Sequence, residues 1–291
     1  MTVSYSPAQI AITGFAVHVP GLSAADLPGS PAEPAAGPAE AHTVLGRKGL
    51  LAKEPATRLA LCATHEALGL PPGKLTEPVP GAARTAVVVA SNLGNVATVC
   101  DVVHTVRTEG GKSVSPLIAP NASSNIIAST IAMRYAFTGP NLLVSSGATA
   151  GIDAIRLGAL LIRRGRTHRA VVVGVEPDDE IARSLCPGIR AAAAAVILEP
   201  ALGSDGLLLG PLSWSRLPLA STMDIPGIEG STYGAQGVLG VAVAAAMLTG
   251  RGDGHTAHLV AAGSPEDGYA AVSVTVSMGT PMGMPMGAGT N

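Results

Sequence analysis

Residues Gly139–Asp153 read GPNLLVSSGATAGID, and this stretch decides the fold. Leu142 to Ser146 is a short apolar run of strand type, Gly147 and Ala148 turn it, and a helical pattern then runs toward Arg164. A sharp strand–turn–helix elbow sets one side chain at the positive end of the helix dipole with backbone N–H groups nearby. Such a place lowers a thiol's pKa and can hold an oxyanion. The side chain there is the methyl of Ala148.

On either side of the elbow the chain reads as alternating strands and helices. Ile10–Gly14 (IAITG), Arg84–Ser91 (RTAVVVAS) and Arg169–Glu176 (RAVVVGVE) are strands by their apolar, β-branched runs. Gly206–Trp214 (GLLLGPLSW) opens a second half, and residues 258–262 with 270–277 form a closing hairpin. Helical periodicity over residues 54–70 puts Leu59, Cys62, Ala63 and Ala67 on one face and leaves His65 and Glu66 on the other, which predicts a surface position for His65. Residues 21–41 are a Pro- and Ala-rich loop, and residues 279–291 (GTPMGMPMGAGTN) a flexible tail. In the helix after residue 92, Val96, Val99 and Val103 repeat at i, i+3 and i+7. Core packing would explain that stripe, and so would a wall lining a cavity.

Composition narrows the function classes. Hydrophobic residues make up 47% of the chain, charged residues 13% and aromatic residues 2%, so the core is built from Ala, Val, Leu and Ile, which suits helices packed on buried parallel strands. So few charges leave apolar surface for a partner to cover. The net charge of −2 and the absence of a basic cluster beyond Arg163, Arg164, Arg166 and Arg169 argue against nucleic acid. No basic segment precedes an apolar one at the N-terminus, and no apolar run approaches the roughly 18 residues of a membrane span. The reading is cytoplasmic, with no membrane contact. The three cysteines, Cys62, Cys100 and Cys186, lie far apart without CxxC spacing, and the acidic run Asp178–Glu180 is a solvated turn, so neither a metal nor a disulfide framework is expected.

The elbow resembles that of β-ketoacyl synthases in the thiolase superfamily, where Gly-Pro, apolar residues and a small pair lead into Ala-Cys-Ala-Thr/Ser-Gly; on that pattern Ala148 takes the cysteine's place. Ile189–Pro200 (IRAAAAAVILEP) resembles the synthase stretch GEGAAALVLEP. Ser231–Leu248 (STYGAQGVLGVAVAAAML) resembles the segment GHxxGAAG, with its histidine replaced between Ala235 and Gly237. The HGTGT strand and the terminal Gly-Phe-Gly-Gly loop have no counterpart. Decarboxylative condensation needs a thiolate and two imidazoles, and the sequence supplies none of the three at the matching positions.

The resemblance therefore implies an α/β, thiolase-like layered αβαβα fold with a shortened, degenerate second half: residues 1–200 as the N-terminal half, 201–278 as the C-terminal half and 279–291 as the tail. It also implies a non-catalytic subunit like the chain-length factor, or ketosynthase β-subunit, of type II polyketide synthases, serving reduced or polyene chains by analogy. Such a subunit uses no cofactor, forms a heterodimer with a ketosynthase α-subunit and meets acyl carrier protein through that complex. The implied tunnel residues are Val96, Val99, Val103, Ile118 and Ile127. The implied interface residues are Asn121, Leu142, Leu143, Val144 and Ser145. Two alternatives stay open: a repurposed thiolase-fold acyltransferase or dehydratase with another nucleophile among Ser145, Ser146 and Thr149, and a purely structural or carrier-protein-binding subunit.

Overall fold

The structure is a computed structural model that describes residues 9–203, 206–221, 225, 227–250 and 256–277. The tail from 279 to 291 lies outside the described residues. In chain order the elements are β1 (Ile10–His18), α1 (His42–Leu45), α2 (Pro55–Ala67), β2 (Thr85–Ala90), α3 (Val96–Thr108), α4 (Ile126–Tyr135), β3 (Asn141–Val144), α5 (Ala150–Arg163), β4 (Arg169–Glu176), α6 (Glu180–Leu185), β5 (Ala192–Pro200), β6 (Gly206–Ser215), α7 (Gln236–Thr249), β7 (Ala257–Ser264) and β8 (Gly268–Ser277). The elements follow the expected chain of strands and helices. β3 is shorter than the apolar run, because Ser145 and Ser146 already belong to the turn.

One sheet holds all eight strands in the order β3-β2-β4-β5-β1-β6-β8-β7. Strands β3, β2 and β4 are parallel, while β4–β5, β5–β1, β6–β8 and β8–β7 are antiparallel. The two halves repeat one arrangement. In each, the last strand (β5 or β8) lies between the first (β1 or β6) and the one before it (β4 or β7), and a helix (α5 or α7) leads into that penultimate strand. The first half continues outward from β4 into β2 and β3; among the described residues the second stops at β7. That is the shortening expected from the sequence, and it leaves β3 and β7 as the two edges.

Side-chain alternation splits the core into two faces. Val87, Val89, Val171, Val173, Val175, Ala193, Ala195 and Ile197 meet α2 and α4 on one side. Ala86, Val88, Ala170, Val172, Ala194, Val196 and Leu198 meet α5 and α7 on the other, where Leu207, Leu209, Val260 and Val272 of the second half close over the same helices. The layers are thus helix, sheet, helix, sheet, with α5 and α7 in the middle. Burial on both sides explains α7, whose residues Gly237 to Ala245 are all buried. The alanine run of β5 has the same cause, since helices approach both of its faces.

The middle helices come together at glycines. A Cβ on Gly151 would lie 2.7 Å from the Gly237 nitrogen, and one on Gly237 would lie 2.5 Å from the Ile152 nitrogen. Backbone touches backbone there, which only hydrogen side chains permit.

Two expectations about α2 and α3 fail. His65 is 1% exposed; its Nε2 contacts the Pro71 carbonyl at 2.9 Å and its Nδ1 the Tyr135 hydroxyl at 3.3 Å. Helix α2 is covered by the sheet below and by α4 and the 21–41 loop around it, so its polar face has an interior environment that periodicity alone does not show. His18, fully buried in β1, contacts Glu66 at 3.0 Å and the Ala36 carbonyl at 2.9 Å, pinning that loop. Burial alone would lower the His18 pKa, but bonding to Cys62 and Glu66 outweighs it and raises the pKa to about 10. In α3 no residue is buried, and Val103 is 42% exposed. The core-packing account of the valine stripe is therefore set aside: only Val96 packs inward, on the small cluster of Leu93, Ala182 and Ile189.

The glycine crossing can be tested by Gly237→Ala. In an unconstrained helix that change stabilises by about 1 kcal/mol. Here the methyl meets backbone at 2.5 Å, so the urea midpoint should fall, by an amount equivalent to about 1–3 kcal/mol. A rise would show that the helices do not depend on this contact.

Candidate functional site

The parallel strands β2, β3 and β4 all end at the same side of the sheet, where α/β proteins form their crevices. Their last residues build the elbow from below. Glu176, buried at the end of β4, accepts the Asn92 N–H at 2.8 Å and the Leu93 N–H at 3.0 Å, with the Ser91 hydroxyl at 3.3 Å. Asn92 in turn clamps Gly147: its side-chain amide donates to the Gly147 carbonyl at 3.0 Å, and its carbonyl accepts the Gly147 N–H at 3.1 Å. Gly147 has φ +65°, a left-handed turn that glycine adopts without strain. A 3₁₀ turn over Gly147–Thr149 then enters α5.

Burial pushes the Glu176 carboxyl up to about 7, against the opposing pull of the Asn92, Leu93 and Gly234 N–H groups and the Ser91 hydroxyl. A titratable group thus lies one residue beneath the elbow, although it reaches the turn only through Asn92.

Ala148 is half-buried, and its N–H is already taken: it donates to the Asp267 carboxylate at 2.8 Å. The methyl lines a cavity of about 490 Å³ whose other walls include Ser231, Tyr233, Gln236, Gly263, Ser264 and Tyr269. Among the described residues lining it there is no histidine and no thiol. Tyr233 holds a left-handed backbone (φ 40°) just before α7, and burial, followed by the nearby Asp267, raises its phenol pKa.

The possible substitute nucleophiles are engaged in structure. Ser145 Oγ donates to the Ser91 carbonyl at 2.7 Å, and Ser146 Oγ and Thr149 Oγ1 donate to Asp153 at 2.6 and 2.8 Å. Their partners are a carbonyl and a carboxylate in the first turn of α5, neither of which supplies the imidazole base an activated serine needs. Of the cysteines, Cys62 is buried in α2 and Cys100 exposed on α3. Cys186 lies nearer the elbow than its place in sequence suggests, because it packs on the same Leu93 cluster as Tyr233. In the acidic run, Asp179 caps α6 through the Ala182 N–H at 2.9 Å and Asp178 lies 3.6 Å from Arg183. Among the described residues no three acidic, histidine or cysteine side chains converge as metal ligands, and no helix is long and apolar enough to cross a membrane.

The other residues singled out by sequence scatter around β3. Leu142, Leu143 and Val144 form the edge strand and are half-buried. Asn121 is 3% exposed, its amide donating to the Ala52 carbonyl, so it holds the 119–122 turn from inside rather than presenting itself to a partner. Ile118 is half-buried in front of that turn, whereas Ile127 is a core residue at 1% exposure. Sequence reasoning missed Asn92 and Asp267. The Asp-Gly pair at 267–268 signalled a hairpin turn, but nothing in the local sequence showed where its carboxylate would land.

Residues 44–184 match the family model of the β-ketoacyl synthase N-terminal domain. Among curated proteins, the chain is similar to 3-oxoacyl-[acyl-carrier-protein] synthase 2 of Rhizobium meliloti (strain 1021), 29% identical over 92 residues, which is 32% of this chain and 22% of that protein. It is also similar to the Vibrio cholerae protein of the same name, 28% identical over 95 residues, or 33% of this chain and 23% of the relative. The matched stretch thus spans less than a quarter of either relative. Among solved structures, the ishigamide ketosynthase/chain length factor aligns with TM-score 0.69 at 17% identity, over 93% of this chain and 100% of that one. The ketosynthase ApeO in complex with its chain length factor ApeC, from Xenorhabdus doucetiae, aligns with TM-score 0.58 at 16% identity, over 92% and 99%. The fold is that of the ketosynthases.

Glu176 gives the site a pH signature. Its carboxyl titrates about 7 in the folded chain against 4.5 in the open chain, so the stability associated with the protonated form is complete below pH 4.5 and is lost as pH rises through 7. Glu176→Gln should flatten that fall in urea midpoints measured across the window. Parallel curves for the two proteins would remove Glu176 as its source.

Proposed function

We propose that this ketosynthase-fold chain is a non-catalytic subunit of chain-length-factor type, which pairs with a β-ketoacyl synthase and shapes the acyl tunnel of a type II polyketide system. One observation carries this reading. The elbow is built and braced as for a nucleophile, yet residue 148 is alanine, its N–H is occupied by Asp267, and no histidine is among the described residues that line the cavity it faces. Condensing chemistry then has to come from the partner, which supplies the cysteine and both histidines.

Other features support it. The edge strand β3, carrying Leu142, Leu143 and Val144 and continued by Ser145, has an open side that a second subunit can pair with. Elements flanking it leave large apolar side chains in solvent: Leu117 at 66%, Met133 at 70% and Val103 at 42% exposure. Such side chains are the usual mark of an interface. In this reading α3 and the turn held by Asn121 lie along the junction, with Val96, Val99, Val103 and Ile118 as one wall of the tunnel. Ile127 sits beneath that wall as packing, and acyl carrier protein docks on the assembled pair.

The test is co-expression with candidate ketosynthases, followed by mass analysis of the products. The chain alone should aggregate and a ketosynthase should rescue it; a monodisperse monomer at micromolar concentration counts against the pairing. In the complex, Val99→Phe should shorten the main product by at least one two-carbon unit. Added bulk in an apolar channel costs about 1–3 kcal/mol, enough to change product ratios roughly tenfold. Unchanged products from equal amounts of complex, at Val96 and Val103 as well, would reduce the subunit to a structural partner.

A further inference from the structure

The β7–β8 turn crosses to the elbow and places a carboxylate on it. Asp267 Oδ2 accepts the Ala148 N–H at 2.8 Å from 119 residues further along the chain. The turn is braced for this: Ser264 Oγ donates to the same oxygen at 3.0 Å and accepts the Asp267 N–H at 3.1 Å. Space for it exists only because residue 147 is glycine, since a Cβ there would lie 2.2 Å from Asp267 Oδ2. The contact sits at the wall of the 490 Å³ cavity, which Ala148, Gly263, Ser264 and Tyr269 share.

We propose that Asp267 is an internal plug, which fills the oxygen position of the elbow and closes this cavity to acyl groups. An acyl carbonyl entering the cavity would need the Ala148 N–H to stabilise charge on its oxygen, and that donor is held by a carboxylate. A thiolate, enolate or carboxylate at position 148 would also face two like charges: Asp267 from the hairpin and Asp153, which collects Ser146 and Thr149 at the head of α5. The other titratable groups around the turn are Glu266 and Tyr269 on the hairpin itself, Tyr233 on the segment before α7, and Glu176 behind Asn92. Loss of the nucleophile is thereby matched by a second closure that a single Ala-to-Cys reversion leaves in place. The plug does not depend on the tunnel reading, because it concerns this subunit's own elbow whether or not α3 lines a shared channel.

The experiment uses the full chain, with its partner if solubility requires one, and Ala148→Cys as a reporter in three backgrounds: Asp267, Asp267→Asn and Asp267→Ala. Alkylation by iodoacetamide is followed between about pH 6 and pH 10 with peptide mass mapping, so that Cys62, Cys100 and Cys186 are scored separately. With Asp267 present the new thiol should react slowly at neutral pH. Asp267→Asn, which keeps an acceptor but loses the charge, should lower the pH midpoint by about 1 unit, and Asp267→Ala should also raise the neutral-pH rate about tenfold. In the Ala148 chain, Asp267→Ala should speed hydrogen exchange of the Ala148 amide at least about tenfold while β4 amides stay protected. Identical midpoints and rates in all three backgrounds, or an unchanged Ala148 exchange rate, overturn the plug. If Asp267→Ala also loosens β4, the Asp267→Asn midpoint decides.

Discussion

The rest of the structure depends on the approach of α5 and α7 at Gly151 and Gly237, where helix backbones touch without side chains between them. Among the described residues the two helices form the middle layer, and the strands of each half close over them from opposite sides. The sheet also joins the halves, through Ile10–Leu209 and Ala11–Leu208 of β1 and β6. A side chain at either glycine would force the helices apart and with them the two sets of strands, because close-packed interiors do not absorb such a shift locally. The same crossing brings the segment before α7 and the β7–β8 turn over the head of α5. The packing contact and the candidate site are therefore one construction.

The shape of the elbow and the side chain it presents have separate requirements. The elbow's shape comes from buried polar groups that must find partners: Glu176 collects the Asn92 and Leu93 N–H groups, and Asn92 satisfies both polar groups of Gly147. None of these bonds involves the side chain of residue 148. The hydrogen-bond network is therefore complete with alanine at 148. The orphan N–H that a reactive elbow presents to substrate is, in this chain, satisfied by Asp267.

The shortened second half has a cost in coverage. The first half screens its outer face with α2 and α4 and extends to β2 and β3, while among the described residues the helices that pack on β8 and β7 are α5 and α7. At the opposite end β3 remains an edge. With 13% charged residues, the chain has few of the charges that protect such edges from association.

Local sequence determined the elements. Strand runs such as RTAVVVAS and RAVVVGVE, the glycine at the elbow and the alanine at 148 are each set by short-range chemistry: β-branched side chains favour extended backbone, and a left-handed turn selects glycine. The order of strands and helices, the second half's shortness and the missing thiol were legible for that reason. Tertiary structure decided what each face meets. His65 lies on the polar side of α2 by periodicity, yet it is buried because α4 brings Tyr135 to it. The valine stripe of α3 has the pattern of a core helix, yet none of the helix's residues is buried. Asp267 and Ala148 are 119 residues apart, and no local propensity links them. Their contact is set by tertiary packing, which lays the β7–β8 hairpin over the head of α5.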